Sequence, residues 1–230
     1  MSQACSMCKD CAEHLEEAYN YEAAREFFEQ AASLYEIDNQ MSYANQMNAK
    51  WADLTILIDQ DMEKQIAKVI KTYDKIGKKY LSQSLVRSSA RDFFFKACLC
   101  FLANDDLQGA KNSMENYQFE DPSFETSRQY EFLKGIVDAI EAQSSEDLSR
   151  VVRTNARILT LDRANNKLLV TIKKIYCPDE TVEPAMPNVM PDLDLVNGGD
   201  DFGNDEANSG AAAQQDAEEN DDGGNGYDLC

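Results

Sequence analysis

Glycine, proline and histidine are scarce in most of this sequence. Residues 1–177 contain three glycines, one proline and the only histidine, His14. The chain therefore has no glycine-rich phosphate loop, and one histidine leaves little for general acid–base catalysis. Acidic pairs such as Asp105-Asp106 are interpreted as solvated loop carboxylates. We expect that the chain is not an enzyme.

Long apolar runs are also missing. The longest tract, Phe93–Ala103, is interrupted by Lys96 and is shorter than the about 20 residues that a spanning helix needs. The N-terminus lacks the basic and then apolar pattern of a signal peptide. Cys230 is the last residue rather than the fourth from the end, so a prenylation signal is absent as well. These features predict a cytoplasmic protein with reduced thiols.

Basic residues are absent after Cys177. Residues 178–230 contain fifteen Asp and Glu, four of the five prolines and seven of the ten glycines. Such a segment cannot bury enough apolar area to offset an ordering cost of about 1–2 kcal/mol per residue. We predict one folded domain at residues 1–177 and a disordered acidic tail at 178–230. The net charge of −20 argues against nucleic acid as a partner.

What residues 1–177 do have is helical periodicity, with apolar residues three and four apart and short polar links between segments. Short links force consecutive helices to be antiparallel. Phe28–Tyr35 resembles Tyr73–Tyr80, 45 residues later, a spacing typical of helical-hairpin solenoids, although two amphipathic helices can also match by chance. We predict an all-α, antiparallel helical-hairpin (tetratricopeptide-like) solenoid that ends in a small helical bundle, a class of mostly binding scaffolds. The predicted helices are at about 6–17, 20–36, 41–59, 62–80, 86–103, 106–117, 123–142, 145–157 and 161–176.

Cys5, Cys8, Cys11 and His14 form the candidate metal cluster. A step of three residues turns a helical side chain by about 300°, so these four drift around the helix instead of converging on one ion. Zinc sites also separate two ligand pairs by about a dozen residues or more. We therefore expect no metal and no cofactor, and we interpret the cysteines as small core residues.

Arg87 and Arg91 lie one helical turn apart, just before the apolar run. Two cations at this spacing repel each other unless a carboxylate faces them. They either line a site for an acidic partner or pair with Asp or Glu of a neighbouring hairpin, and the sequence leaves both alternatives open.

Several ordered segments carry a resemblance to a known family. Ser88–Cys100 reads Ser-Ser-Ala-Arg-Asp-Phe-Phe-Phe-Lys-Ala-Cys-Leu-Cys, which resembles a helix of the soluble NSF attachment proteins (SNAPs), in particular their alpha/beta branch. The likeness is collinear over about residues 7–176 and includes the last three residues. Further matching segments are Asn20–Tyr35, Tyr43–Lys50, Pro122–Arg128 and Leu161–Ile175.

The resemblance implies an adaptor that lies along the four-helix SNARE bundle and recruits the AAA+ ATPase NSF. ATP hydrolysis by that ATPase then dismantles the bundle after membrane fusion. Contact with membranes would be indirect, through SNAREs. In the family, basic residues face the SNAREs, acidic residues face the ATPase, and a penultimate leucine promotes its activity. At the matching positions of this chain, the residues that would face SNAREs are Lys50, Arg91 and Arg128. Those that would face the ATPase are Asp105, Asp138 and Glu141, and the penultimate leucine is Leu229.

Departures from the family pattern leave other functions open. The N-terminal hairpins of the family, with their membrane-touching loop, have no counterpart, so we expect a truncated paralogue or an incomplete gene model. The family has a basic residue at the position of Gln46 and a tryptophan at the position of Ala164. The acidic insertion tethers Leu229 loosely, over about 40 Å. The alternatives are a generic tetratricopeptide-like scaffold and a truncated regulator that competes with a full-length SNAP.

Overall fold

Helices account for nearly all of the residues that the computed structural model describes, which are 2–159 and 161–178. Within these ranges there are nine α-helices, one short 3-10 helix at Arg87–Ser89 and no strand. The all-α prediction is confirmed. The helices are α1 (Ser2–Glu17), α2 (Tyr21–Ile37), α3 (Met41–Leu57), α4 (Asp59–Leu81), α5 (Ala90–Ala103), α6 (Leu107–Glu120), α7 (Arg128–Glu141), α8 (Ser145–Leu159) and α9 (Arg163–Tyr176).

Four of the turns between helices are built in the same way. Each contains a non-glycine residue with φ between 52° and 59°. The next N–H bonds back to a carbonyl five residues earlier, as from Asp106 to Phe101 at 3.0 Å, which satisfies the last carbonyls of the preceding helix. Asp106 then caps the following helix by accepting from the Gly109 N–H at 2.7 Å. The positive-φ residues are Tyr19, Asn39, Asp105 and Gln143.

Three predicted boundaries were wrong. A single extended residue, Ile58, separates α3 from α4, where the sequence predicted a first helix that ends at about residue 59 and a second that begins at about 62. The helix predicted to begin at residue 123 begins at Arg128, because Asp121 accepts from Ser123 in a turn and Ser127 caps the helix. The first helix begins at Ser2 instead of residue 6.

Consecutive helices pack as hairpins, and the last helix closes the series. α9 packs on α8 and returns to α5 and α3, which forms the small bundle that the sequence predicted. On another side, Lys68 of α4 lies 2.8 Å from Glu29 of α2, and Lys78 lies 3.3 Å from Glu120 of α6. α2, α4 and α6 are therefore neighbours on one surface of the stack.

The repeat and most of the cysteines lie in the core. Phe28 and Tyr73, which begin the two similar segments, are both fully buried. Cys5, Cys98, Cys100 and Cys177 are buried, as expected for small core residues, whereas Cys11 is exposed. Among the described residues, no three His, Cys, Asp or Glu side chains are arranged to hold a metal ion.

No helix in the described ranges has the length and apolar character needed to cross a membrane. The predicted acidic tail, and Leu229 with it, lies outside the described residues except for Pro178. The division at residue 177 stays a prediction.

Candidate protein-binding site

A buried lysine joins four elements beneath the last helix. Lys96 of α5 places its Nζ 2.6 Å from Asp53 Oδ1 of α3 and 2.7 Å from Asp162 Oδ2 at the start of α9. Tyr73 of α4 donates its hydroxyl to the same Asp53 oxygen at 2.6 Å. We call these four residues the Lys96 cluster. It fixes the N-terminus of α9 against α3 and α5.

The cluster is electrostatically coupled because it is mostly buried. Burial by itself would lower the pKa of Lys96, but Asp53 and Asp162 outweigh it, so the pKa is raised above its ordinary value. Burial raises the pKa of Asp53, and Lys96 opposes that shift. Asp162 also caps α9, accepting from the Asn165 N–H at 2.8 Å. Loss of the lysine would leave two carboxylates without a cation.

Lys50 lies beside this cluster but is far more exposed. Its Nζ is 2.9 Å from both carboxylate oxygens of Glu16 in α1, and 45% of its side chain is accessible. Both residues line a cleft of about 710 Å³ together with Asp53 and Arg163. Gln46, one turn earlier, is exposed and uncharged. The lysine predicted to face SNAREs is thus already paired, although only loosely.

Arg163 forms one wall of the same cleft. It donates to the Tyr21 hydroxyl at 3.0 Å, and its guanidinium carbon lies 5.4 Å from the centre of the Tyr19 ring. The start of α9 is thereby attached to the turn between α1 and α2.

Arg91 is a partner of the turn before α7. It donates to Ser123 Oγ at 2.8 Å and lies 3.8 Å from Asp121 Oδ2. Arg87 approaches the other oxygen of Asp121 at 3.5 Å. Asp121 is almost fully buried, so the structure favours pairing with a neighbouring hairpin over a free site for an acidic partner.

Arg128 is exposed on the first turn of α7, directly after the capping residue Ser127. It forms no ion pair with the side chains that the structure describes. Of the three basic residues predicted to face SNAREs, Arg128 is therefore the most available to a ligand.

The predicted ATPase-facing acids lie at one end of the stack. Asp105 is exposed in the turn between α5 and α6, and Asp138 and Glu141 are exposed on the last turn of α7. Glu141 accepts from Lys111 of α6 at 2.6 Å. A cleft of about 510 Å³ joins Glu141 to Tyr176 at the end of α9, and burial, with Asp105 nearby, raises the pKa of Tyr176. We call Asp105, Asp138 and Glu141 the acidic end.

Sequence reasoning missed the Lys96 cluster. The only signal was a lysine inside an apolar run, which indicates a buried cation that needs a partner. Its partners lie 43 residues earlier and 66 residues later in the chain, so no local pattern identifies them.

Stacked hairpins with charged, exposed surfaces define a helical binding scaffold. Residues 1–176 match the family described as soluble NSF attachment protein, SNAP, and the chain belongs to this family. It is a family of attachment proteins and not of enzymes, which confirms the expectation from the sequence.

Individual relatives agree with the family match. The vesicular-fusion protein SEC17 of Komagataella phaffii is 33% identical over 146 residues, which are 64% of this chain and 48% of that protein. Beta-soluble NSF attachment protein of Bos taurus is 33% identical over 158 residues, or 69% and 51% of the two chains. Alpha-soluble NSF attachment protein of Vitis vinifera is 28% identical over 175 residues, or 76% and 59%. The chain spans about half the length of the curated relatives it matches.

Proposed function

We propose that this chain is an adaptor that binds SNARE complexes and recruits an NSF-type AAA+ ATPase for their disassembly in vesicle transport. The observation that carries the proposal is the family match over residues 1–176, which includes every proposed contact residue except Leu229. The protein would act in the cytoplasm and associate with membranes peripherally, through SNAREs.

Arg128 is proposed as the main SNARE contact. It is exposed, and it forms no ion pair with the side chains that the structure describes. Lys50 would contribute after exchanging Glu16 for a SNARE carboxylate, and such half-exposed pairs contribute only about 0–1 kcal/mol. Arg91 holds Ser123 and the nearly buried Asp121, so its effect on binding would come mainly from fixing the turn that precedes Arg128.

The acidic end is proposed as the contact for a basic domain of the ATPase. Exposed charges of one sign steer a basic partner and set its register more than they add affinity. Lys111 neutralises part of Glu141, which leaves Asp105 and Asp138 as the stronger attractors. Leu229 is proposed to promote ATPase activity once the complex has formed.

Capture on an immobilised SNARE bundle tests both surfaces. Arg128→Glu should weaken binding of the full chain about tenfold, and the loss should shrink at high salt. Lys134→Glu is the matched control, because Lys134 is exposed on the same helix and belongs to neither surface. Asp138→Lys/Glu141→Lys should keep bundle binding and lose capture of the ATPase.

Equal losses for Arg128→Glu and Lys134→Glu would contradict the assignment of Arg128. Failure of the unmodified chain to bind the bundle would overturn the adaptor and leave a generic tetratricopeptide-like scaffold. A second candidate is a regulator that competes with a full-length SNAP. Bundle binding without ATPase capture would support that candidate.

A further inference from the structure

α4 carries a stripe of lysines on its exposed face. At 100° per residue, Lys64, Lys68, Lys71, Lys75 and Lys78 fall within an arc of about 80°, and all five are exposed. With Lys79, residues 64–81 hold six lysines and one acidic residue in a chain of net charge −20. We call the five lysines the lysine stripe.

The stripe is only weakly neutralised by its neighbours. Lys68 pairs with Glu29 and Lys78 with Asp74 and Glu120, and each of these lysines keeps about half of its side chain accessible. Lys64, Lys71 and Lys75 form no ion pair within the described part of the chain. Pairs this exposed hold their partners weakly, so the stripe is available to an anionic ligand.

Two large apolar side chains project at the C-terminal end of the stripe. Leu85, in the loop after α4, is 96% exposed, and Phe119, near the end of α6, is 89% exposed. The 3.3 Å contact between Lys78 and Glu120 brings the end of α4 to the residue after Phe119. The 3.5 Å contact between Arg87 and Asp121 ties the loop that contains Leu85 to the same place. We call Leu85 and Phe119 the apolar tip.

We propose that the lysine stripe and the apolar tip bind the surface of an anionic lipid bilayer directly. Each lysine close to such a surface strengthens binding about fivefold, and projecting apolar side chains enter the boundary between headgroups and acyl chains. Nearly full exposure leaves Leu85 and Phe119 projecting from the surface, as such insertion requires.

Charge complementarity acts at short range here. The excess negative charge of the chain is screened beyond about 8 Å at physiological salt, so the local positive stripe governs contact with lipid headgroups. This inference goes beyond the proposed adaptor function, which routes membrane contact through SNAREs. Its test needs neither SNAREs nor the ATPase, so the two proposals fail independently.

Flotation of the full chain with lipid vesicles tests the proposal. Vesicles of neutral phosphatidylcholine are compared with vesicles that contain about 30% phosphatidylserine, which gives the cytoplasmic leaflet its negative potential. We expect binding to the anionic vesicles alone, with a decrease as salt rises. Lys71→Glu/Lys75→Glu should lower binding at least tenfold. Leu85→Ser/Phe119→Ser should lower it about fivefold while leaving the salt dependence unchanged.

The matched control is Lys134→Glu/Arg153→Glu, which changes the net charge equally at exposed positions on α7 and α8. It should bind within twofold of the unmodified chain. Far-ultraviolet circular dichroism checks that all variants fold, and Lys71→Gln/Lys75→Gln replaces the glutamate pair if that variant does not.

Three results would overturn the proposal. The first is no binding of the unmodified chain to anionic vesicles at low salt. The second is an equal loss for the stripe and control variants, which would mean that binding follows net charge. The third is capture of a poly-glutamate peptide by the stripe without vesicle binding, which would assign the stripe to an acidic protein.

Discussion

Lys96 and the lysine stripe place the same side chain in opposite surroundings. Lys96 is nearly buried between Asp53 and Asp162, and its pKa is raised because the carboxylates outweigh burial. Lys71 and Lys75 lie on the outer face of α4, exposed and without an ion pair among the described residues. A buried charge depends on its protein partners for stability, because water cannot replace them. Exposure leaves the charge free to meet a ligand.

The largest expected effect separates these two kinds of lysine. Lys96→Met leaves the part-buried Asp53 and the half-exposed Asp162 without their cation, and it should lower the free energy of unfolding by about 3 kcal/mol, the low end for a broken buried pair. Lys75→Met should change it by less than about 0.5 kcal/mol. Urea unfolding of both variants measures the difference. Similar values for the two would show that the Lys96 cluster does not hold α9.

A second expected effect concerns buried groups that must stay neutral. Burial raises the pKa of the Cys98 and Cys100 thiols above their ordinary 9.0. Above that pH the unfolded chain releases protons that the folded chain keeps, so stability is full below about pH 8 and falls as pH rises. For two thiols the loss should reach about 2–3 kcal/mol at pH 10.

Urea unfolding at pH 8 and pH 10 measures this decline. Cys98→Ala/Cys100→Ala should show a shallower decline, with the remainder coming from residues such as Tyr73, whose pKa is also raised by burial. An unchanged slope in this variant would contradict the assignment to the thiols.

The inner face of α4 should not tolerate a side chain at Gly77. A Cβ at Gly77 would lie 2.6 Å from Phe94, whose ring is buried and stacked on Tyr117 at 4.1 Å between centres. Overpacking should outweigh the better helix propensity of alanine, so Gly77→Ala should cost about 1–2 kcal/mol. At Gly135 the nearest atom, on Val151, is 3.0 Å away, and Gly135→Ala should cost less. Thermal unfolding of both variants checks the order.

The smallest expected effect concerns the pair of Lys50 and Glu16. Glu16→Gln should change the free energy of unfolding by less than about 1 kcal/mol, because the pair is partly exposed. If Lys50 faces SNAREs, its release should strengthen binding to the SNARE bundle about twofold to fivefold. Titration of the bundle with this variant measures the gain, and weaker binding would assign Lys50 a structural role only.

The approximate positions of the helices could be predicted from the sequence, because apolar periodicity is a property of each segment by itself. The boundaries that failed depended on side chains competing for backbone groups, as at Asp121 and Ser127 before α7. The break between α3 and α4 at Ile58 was not predicted either, because a single extended apolar residue has none of the sequence features of a turn.

The surfaces were predictable only in part. The resemblance predicted Arg128 and the acidic end as contact residues, and the structure leaves these side chains exposed. It could not reveal that Lys50 and Arg91 are already paired, because Glu16 and Ser123 lie more than thirty residues away in the sequence. The exposure of Leu85 and Phe119 likewise depends on which helices pack together, and no single segment encodes that.

ATP-driven release of a SNARE bundle tests the proposed adaptor role most directly. The full chain, an NSF-type ATPase and a labelled bundle are mixed, and release is followed after addition of ATP, with Leu229→Ala alongside. The account predicts release that requires the chain and slows in the Leu229→Ala variant. A chain that binds the bundle but blocks release by a full-length SNAP would contradict the adaptor and establish a competitor.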